Sequence, residues 1–189
     1  MKNYLPVTFL LISVCSFSQF HLTALNNNVN NVLEKVIEDF PNHFKNIRGS
    51  VIDKDVQATN YNCSVNIPGT DSSIIIQNGN DTDNIFSWKE MVFETDDFEK
   101  AKQKFHEYFM KIKGTSIKTN NANINFNADY TAPDDAKQFA SIIFQAHPET
   151  AQFKNVMIDL DMQYVLDGWQ INISVYEHKD YGTYKDALN

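Results

Sequence analysis

Hydrophobic residues recur every three or four positions in two stretches of the chain, which predicts two amphipathic helices. The first stretch covers residues 29–47, and we expect Pro41 to kink or divide its helix and Gly49 to end it. The second begins after a capping box formed by Asp96 and Glu99 and ends at Gly114. Its apolar stripe consists of Phe98, Ala101, Phe105, Tyr108, Phe109 and Ile112.

Alternation of apolar and polar residues predicts strands in most of the remaining chain. These strands cover residues 51–57, 61–67, 73–77, 85–94, 115–118 and 123–130. In the last of them every second residue is asparagine or aspartate, so one face must meet water, as in an antiparallel sheet with one exposed side. Pro133 near a helix start, followed by aspartates in the first turn, predicts a third helix that continues to Ala146.

The C-terminal part of the chain predicts a β-hairpin, because the Asp167-Gly168 dipeptide favours a two-residue turn between alternating runs. This turn pairs apolar residues on one face: Leu166 with Trp169, Tyr164 with Ile171, Met162 with Ile173, and Leu160 with Val175. The opposite face then carries polar pairs: Gln163 with Asn172, Asp161 with Ser174, and Asp159 with Tyr176. We expect the apolar face to pack against the helices and the polar face to meet solvent.

Segregated strands with few helices indicate an α+β fold with two layers. We expect an antiparallel sheet of about six to eight strands, with two or three helices packed on one face. A single domain covers residues 29–178, after a polar lead-in at 19–28 and before a C-terminal tail at 179–189. Shifting the sequence by 65 positions aligns the two helices and their terminal glycines, so an internal duplication with half-repeats 29–94 and 95–178 is an open alternative.

The first 18 residues have the three parts of a secretory signal peptide. A positive start precedes an apolar run over residues 5–14, and small residues follow. We expect cleavage between Ser18 and Gln19, with export to the periplasm or the medium. A lipoprotein anchored through Cys15 is the alternative, although Val14 stands where a lipobox has a small residue. No later segment predicts a transmembrane span.

The charge balance limits the partners of the chain. It carries 16 basic and 24 acidic residues, for a formal net charge of −8. Arginine supplies the bidentate contacts to phosphate and guanine, and this chain has a single arginine, Arg48. This composition argues against nucleic acid and anionic lipid as partners. The motifs GxSxG, GxGxxG, CxxC and the P-loop do not occur, and the histidines lack the spacing of a zinc site, so we predict no cofactor.

Two groups of acidic residues are weak candidates for a metal site. Asp81 and Asp83 lie in an oxygen-rich segment that could suit Ca²⁺ but does not fit the EF-hand pattern. Asp159 and Asp161 share one strand face, where paired carboxylates could serve acid–base catalysis or hold a divalent metal. The same strand face carries a predicted interaction surface, which consists of Asp161, Gln163, Asn172, Ser174 and Tyr176.

These observations favour a non-enzymatic exported domain that binds a protein or a glycan in the cell envelope through its polar sheet face. One alternative is a hydrolase or metal-dependent enzyme that uses Asp159 and Asp161. Another is a carrier that holds a small apolar ligand between the helices and the sheet. A catalytic cleft would favour the enzyme, and an apolar void would favour the carrier. A filled core with a polar sheet face would favour the binding module.

Overall fold

Nine antiparallel strands form one sheet, and two helices pack on one of its faces in the computed structural model. The structure describes residues 20–79, 85–118 and 123–178. The helices are α1 (Phe20–Asp39) and α2 (Phe98–Lys113). The strands are β1 (Arg48–Lys54), β2 (Ala58–Cys63), β3 (Ile74–Asn78), β4 (Ile85–Thr95), β5 (Ser116–Lys118), β6 (Asn123–Asn127), β7 (Phe139–His147), β8 (Val156–Val165) and β9 (Gly168–Glu177). The predicted α+β class with an antiparallel sheet is confirmed, with more strands than expected.

The strands form two meanders that meet in the middle of the sheet. Their order is β1-β2-β3-β4-β9-β8-β7-β6-β5, with α1 before the first meander and α2 before the second. The 65-residue shift places β1, β2 and β3 on β5, β6 and β7. In an antiparallel sheet of nine strands the two edge strands, β1 and β5, run in the same direction, so a twofold axis normal to the sheet cannot relate them. Such an axis would instead relate β1–β4 to β6–β9. The duplication itself stays a prediction.

The core lies between the helices and the inward face of the sheet. The apolar stripe of α2 is buried as its spacing predicts, apart from the half-buried Phe98. On β4, Trp88 is fully buried beside Ile75 of β3 and Val175 of β9. The Tyr108 hydroxyl donates to the Val92 carbonyl at 3.0 Å, and burial raises the pKa of Tyr108 to about 12. This bond ties α2 to the sheet.

The first helix is shorter at its C-terminal end than the apolar spacing predicts. It ends at Asp39, and a 3-10 turn that contains a proline follows at Phe40–Asn42. The Asp39 carboxylate then accepts hydrogen bonds from the backbone amides of Asn46, at 2.9 Å, and Ile47, at 3.2 Å. This carboxylate folds the chain back on itself, so the expected helix end at Gly49 is wrong and Gly49 lies in β1.

The predicted third helix is wrong, because residues 139–147 form strand β7. Buried and exposed residues alternate along β7: Ile142, Phe144 and Ala146 face the core, whereas the residues between them are exposed. The pair of β-branched isoleucines within this alternation favours a strand. Only a 3-10 turn at Asp135–Lys137 remains where the helix was expected to begin.

The β8–β9 hairpin has the predicted faces but a different register. Its two-residue turn consists of Leu166 and Asp167, so Met162 pairs with Ile171, Leu160 with Ile173 and Ile158 with Val175. The predicted partners were two positions away, a shift that leaves the paired residues on their predicted faces. Leu166 therefore leaves the apolar face and is 91% exposed, and Tyr164 is 41% exposed.

A buried glutamate organises the connection between β2 and β3. Glu90 lies on the inward face of β4 and is 1% exposed. Its carboxylate accepts from the Ile67 amide, at 2.8 and 3.2 Å, and from the Thr70 hydroxyl. Burial raises the pKa of Glu90 to about 7, although the hydrogen bonds from Thr70 and Ile67 oppose the shift. The turn that contains Ile67 and Thr70 thus holds the Glu90 carboxyl group next to the apolar core.

Replacing Ile173 with alanine should lower the free energy of unfolding by about 2–5 kcal/mol, because it leaves a cavity under the helices. Leu166→Ala is the matched control on the same hairpin and should change stability by less than about 0.5 kcal/mol, since Leu166 is exposed. Urea denaturation measures both changes. Similar losses for the two variants would contradict the assignment of the hairpin faces.

The Glu90→Gln variant should remove a pH dependence of stability. The folded pKa of about 7 lies above the reference value of 4.5, so the native state binds this proton more tightly than the unfolded chain. Stability should therefore fall as pH rises between these values, by about 3 kcal/mol in total. Urea denaturation at about pH 5 and about pH 8 measures the slope. Glu94→Gln replaces an exposed glutamate as a control and should keep the pH dependence of the wild-type protein. An unchanged pH dependence in Glu90→Gln would contradict the raised pKa of Glu90.

Candidate functional site

The sheet face that points away from the helices carries a cluster of hydrogen-bonding side chains on four neighbouring strands. We call it the polar face, and it consists of Lys89 on β4, Ser174 and Asn172 on β9, Asp159 and Asp161 on β8, and Ser141 on β7. The strand register places them in two adjacent rows. One row contains Lys89, Ser174 and Asp159, and the other contains Asn172, Asp161 and Ser141.

The centre of the polar face is buried, which corrects the expectation that this face is simply wet. Asp161 is 8% exposed and Asn172 is 4% exposed. The Asn172 side-chain amide donates to the Asp161 carboxylate at 2.9 Å, so the buried carboxylate has a partner. The sequence analysis placed Asp161 opposite Ser174, and the two-residue register change replaces that partner with Asn172.

The second carboxylate of the polar face is also held by a neutral neighbour. The Ser141 hydroxyl donates to Asp159 at 2.6 Å. Burial raises the pKa of both Asp159 and Asp161, while the positive charge of Lys89 opposes the rise in each. Desolvation has the larger effect, so both carboxylates hold protons more tightly than in water.

Two residues of the predicted interaction surface lie at opposite ends of the polar face. Gln163 pairs with Gln170 near the hairpin turn and not with Asn172 as expected. Tyr176 lies one row beyond Ser174, pairs with Met157 of β8, and is half-buried. The structure therefore groups Asp161, Asn172 and Ser174 in two adjacent rows and places Gln163 one row beyond Asp161, at the hairpin end. Tyr176 faces a different neighbourhood.

Tyr176 lines a cleft of about 420 Å³ beside the polar face. Its walls come from β7, β8, the end of β9 and the turn before β8. They include Ile143, Gln145, Glu149, Lys154, Asn155 and Tyr176. Ile143 is 48% exposed, so the cleft combines an accessible apolar surface with amide, carboxylate and ammonium groups. The cleft is thus more open and more polar than the apolar pockets that enclose most small ligands.

Sequence reasoning missed three residues that matter here. Lys89 and Ser141 belong to the polar face, and Glu90 is the buried carboxylate on the other side of the sheet. A signal existed for two of them. Trp88 and Val92 lie an even number of residues apart along β4, so both face the core, and this parity assigns Glu90 to the core and Lys89 to the opposite face. Ser141 was missed because β7 was taken for a helix.

Metal ligands do not converge within the described part of the chain. No group of three or more His, Cys, Asp or Glu residues there is placed to hold a metal ion. The hydrogen-bond partners of Asp159 and Asp161 are neutral side chains, and no third acidic residue joins the two to complete a metal site in the described part of the chain. The other candidates, Asp81 and Asp83, lie outside the described residues, as does the predicted signal peptide.

Comparison with known proteins gives no relative. A scan against protein-family models, a search of curated proteins and a search of solved structures each found no match. Among the described helices, none has the length and apolar character required to cross a membrane.

Replacing Asn172 with alanine should lower the free energy of unfolding by about 1–3 kcal/mol, because it leaves the buried Asp161 carboxylate without its amide donor. Ser174→Ala, on the same strand and face, should change it by less than about 0.5 kcal/mol, because Ser174 is only half-buried. Chemical denaturation of both variants tests the difference. Equal, small effects would show that the centre of the polar face is solvated.

Proposed function

We propose that this chain is an exported, non-enzymatic binding module of the cell envelope that contacts its partner through the polar face and the adjoining cleft. The observation that carries the proposal is the surface of β7. There Phe139, 55% exposed, and Ile143, 48% exposed, flank Ser141, whose hydroxyl is fixed by Asp159. Exposed apolar groups beside preorganised polar groups are typical of binding surfaces. The tripartite N-terminus supports export.

The rigidity of the polar face supports recognition without chemistry. Each carboxylate at its centre is bonded to a neutral side chain on a neighbouring strand, and all the strands involved lie inside the sheet. Side chains held in this way lose little conformational freedom when a partner binds. The acidic net charge of −8 favours a neutral or basic partner and disfavours nucleic acid.

A hydrolase is the second candidate function. One observation favours it: Asp159 and Asp161 are two residues apart on one face, and burial raises the pKa of each. A raised carboxyl pKa is one of the ways in which enzymes prepare a general acid. The two functions differ in a simple outcome, because an enzyme converts what it binds.

Binding measurements on the full chain test the proposal. Immobilised protein is exposed to an array of defined neutral oligosaccharides and to an array of envelope-derived peptides. We expect at least one probe to bind, and we expect Ile143→Asp to weaken it by about tenfold or more, because the substitution adds charge at the centre of the surface. Val56→Asp is the matched control on the fully exposed β1–β2 turn and should bind as wild type.

Two outcomes would count against the binding module. If binding is insensitive to Ile143→Asp, or if no probe binds, the polar face and its cleft are not the binding site. Conversion of a bound probe into products that stops in Asp159→Asn, with binding retained, makes the protein an enzyme.

A further inference from the structure

We propose that the cleft beside the polar face binds a neutral oligosaccharide, with Tyr176 as the surface on which one sugar ring lies. This inference rests on the proposed function and specifies its ligand. The cleft is formed by side chains of three adjacent strands and by the turn at Glu149–Asn155. It is open to solvent along one side, as a site for part of a longer chain must be.

The apolar part of the cleft suits the flat face of a pyranose ring. Tyr176 and Met157 are direct neighbours across β8 and β9, and Ile143 of β7 also lines the cleft. Tyr176 is half-buried, so its ring is held by packing while part of it faces the cleft. Aromatic rings offer a large rigid surface at small entropic cost. Burial and the charge of Asp159 raise the pKa of Tyr176, so its hydroxyl remains a donor.

The polar part of the cleft favours a neutral ligand rich in hydroxyl groups. Gln145 and Asn155 supply amides, which both donate and accept hydrogen bonds. Glu149 and Lys154 carry opposite charges, so the cleft has no net preference for an anion or a cation from this pair. Hydroxyl groups match all four side chains, because each hydroxyl can donate to an acceptor and accept from a donor.

A peptide fits the cleft less well for a topological reason. A peptide that binds by strand addition gains its affinity by pairing its backbone with an exposed strand edge. Of the strands that wall the cleft, β8 and β9 pair with a strand on each side, whereas β7 pairs with β6 only over residues 145–147. Strand addition is therefore open only to the part of β7 before Gln145, and a ligand that lies on Tyr176 contacts side chains. An acidic polysaccharide is disfavoured by the net charge of −8 and by Asp159 nearby.

The test is the affinity of the full chain for a panel of neutral oligosaccharides, measured by titration calorimetry. We expect one or more to bind and Tyr176→Ala to weaken binding by about tenfold or more. Tyr176→Phe keeps the ring and should retain most of the affinity. Tyr164→Ala removes a partly exposed tyrosine at the far end of the same hairpin and should bind as wild type. Gln145→Ala is a second cleft variant at an exposed position, should Tyr176→Ala fail to fold.

The outcomes separate this inference from the proposed function. If no neutral oligosaccharide binds but a peptide probe binds and is lost in Ile143→Asp, the ligand class is wrong and the binding module stands. If neither class binds, both proposals fail. Sugar binding that is unchanged in both Tyr176→Ala and Gln145→Ala would place the site elsewhere and overturn the inference.

Discussion

The pairing of β4 with β9 is the interaction on which the rest of the structure depends. Each of the other seven strand pairings joins strands that are consecutive in the chain, so either meander is held together by local contacts. Only β4 and β9 connect the two halves of the sheet, and α2 packs across both strands. The pairing brings Trp88 beside Val175 and Glu90 beside Ile173, which joins the core across the middle of the sheet. Because it closes the largest loop, it has the highest entropic cost.

The periodicity of the sequence predicts faces better than it predicts partners. Ile171, Ile173 and Val175 are buried as expected, because a period of two assigns a side chain to one face regardless of register. A shift of two residues in the hairpin leaves this assignment intact, so alternation could not reveal that Leu166 lies in the turn. The register is set by the contacts of β9 with both of its neighbours, and the contacts with β4 join residues far apart in sequence.

The candidate site could be predicted only in outline. The alternation along β8 and β9 correctly placed Asp161, Asn172 and Ser174 on one face. It could not show that Asp161 and Asn172 are buried, because their burial depends on the side chains of adjacent strands. The cleft is harder still, since its walls come from segments around Gln145 and Tyr176, which are far apart in the chain. The hydrophobic pattern within either segment contains no information on its contact with the other segment.

An open sheet has two edges, and the two edges of this one differ in their tendency to recruit further strands. β5 is only three residues long, which leaves few unpaired backbone groups. β1 has seven residues and exposes Val51 and Ile52 by more than half, so it could template self-association. Irregular pairing with β2 and the charges of Asp53 and Lys54 oppose this. The solubility of the protein at high concentration therefore depends on a few residues of one edge strand, remote from the cleft.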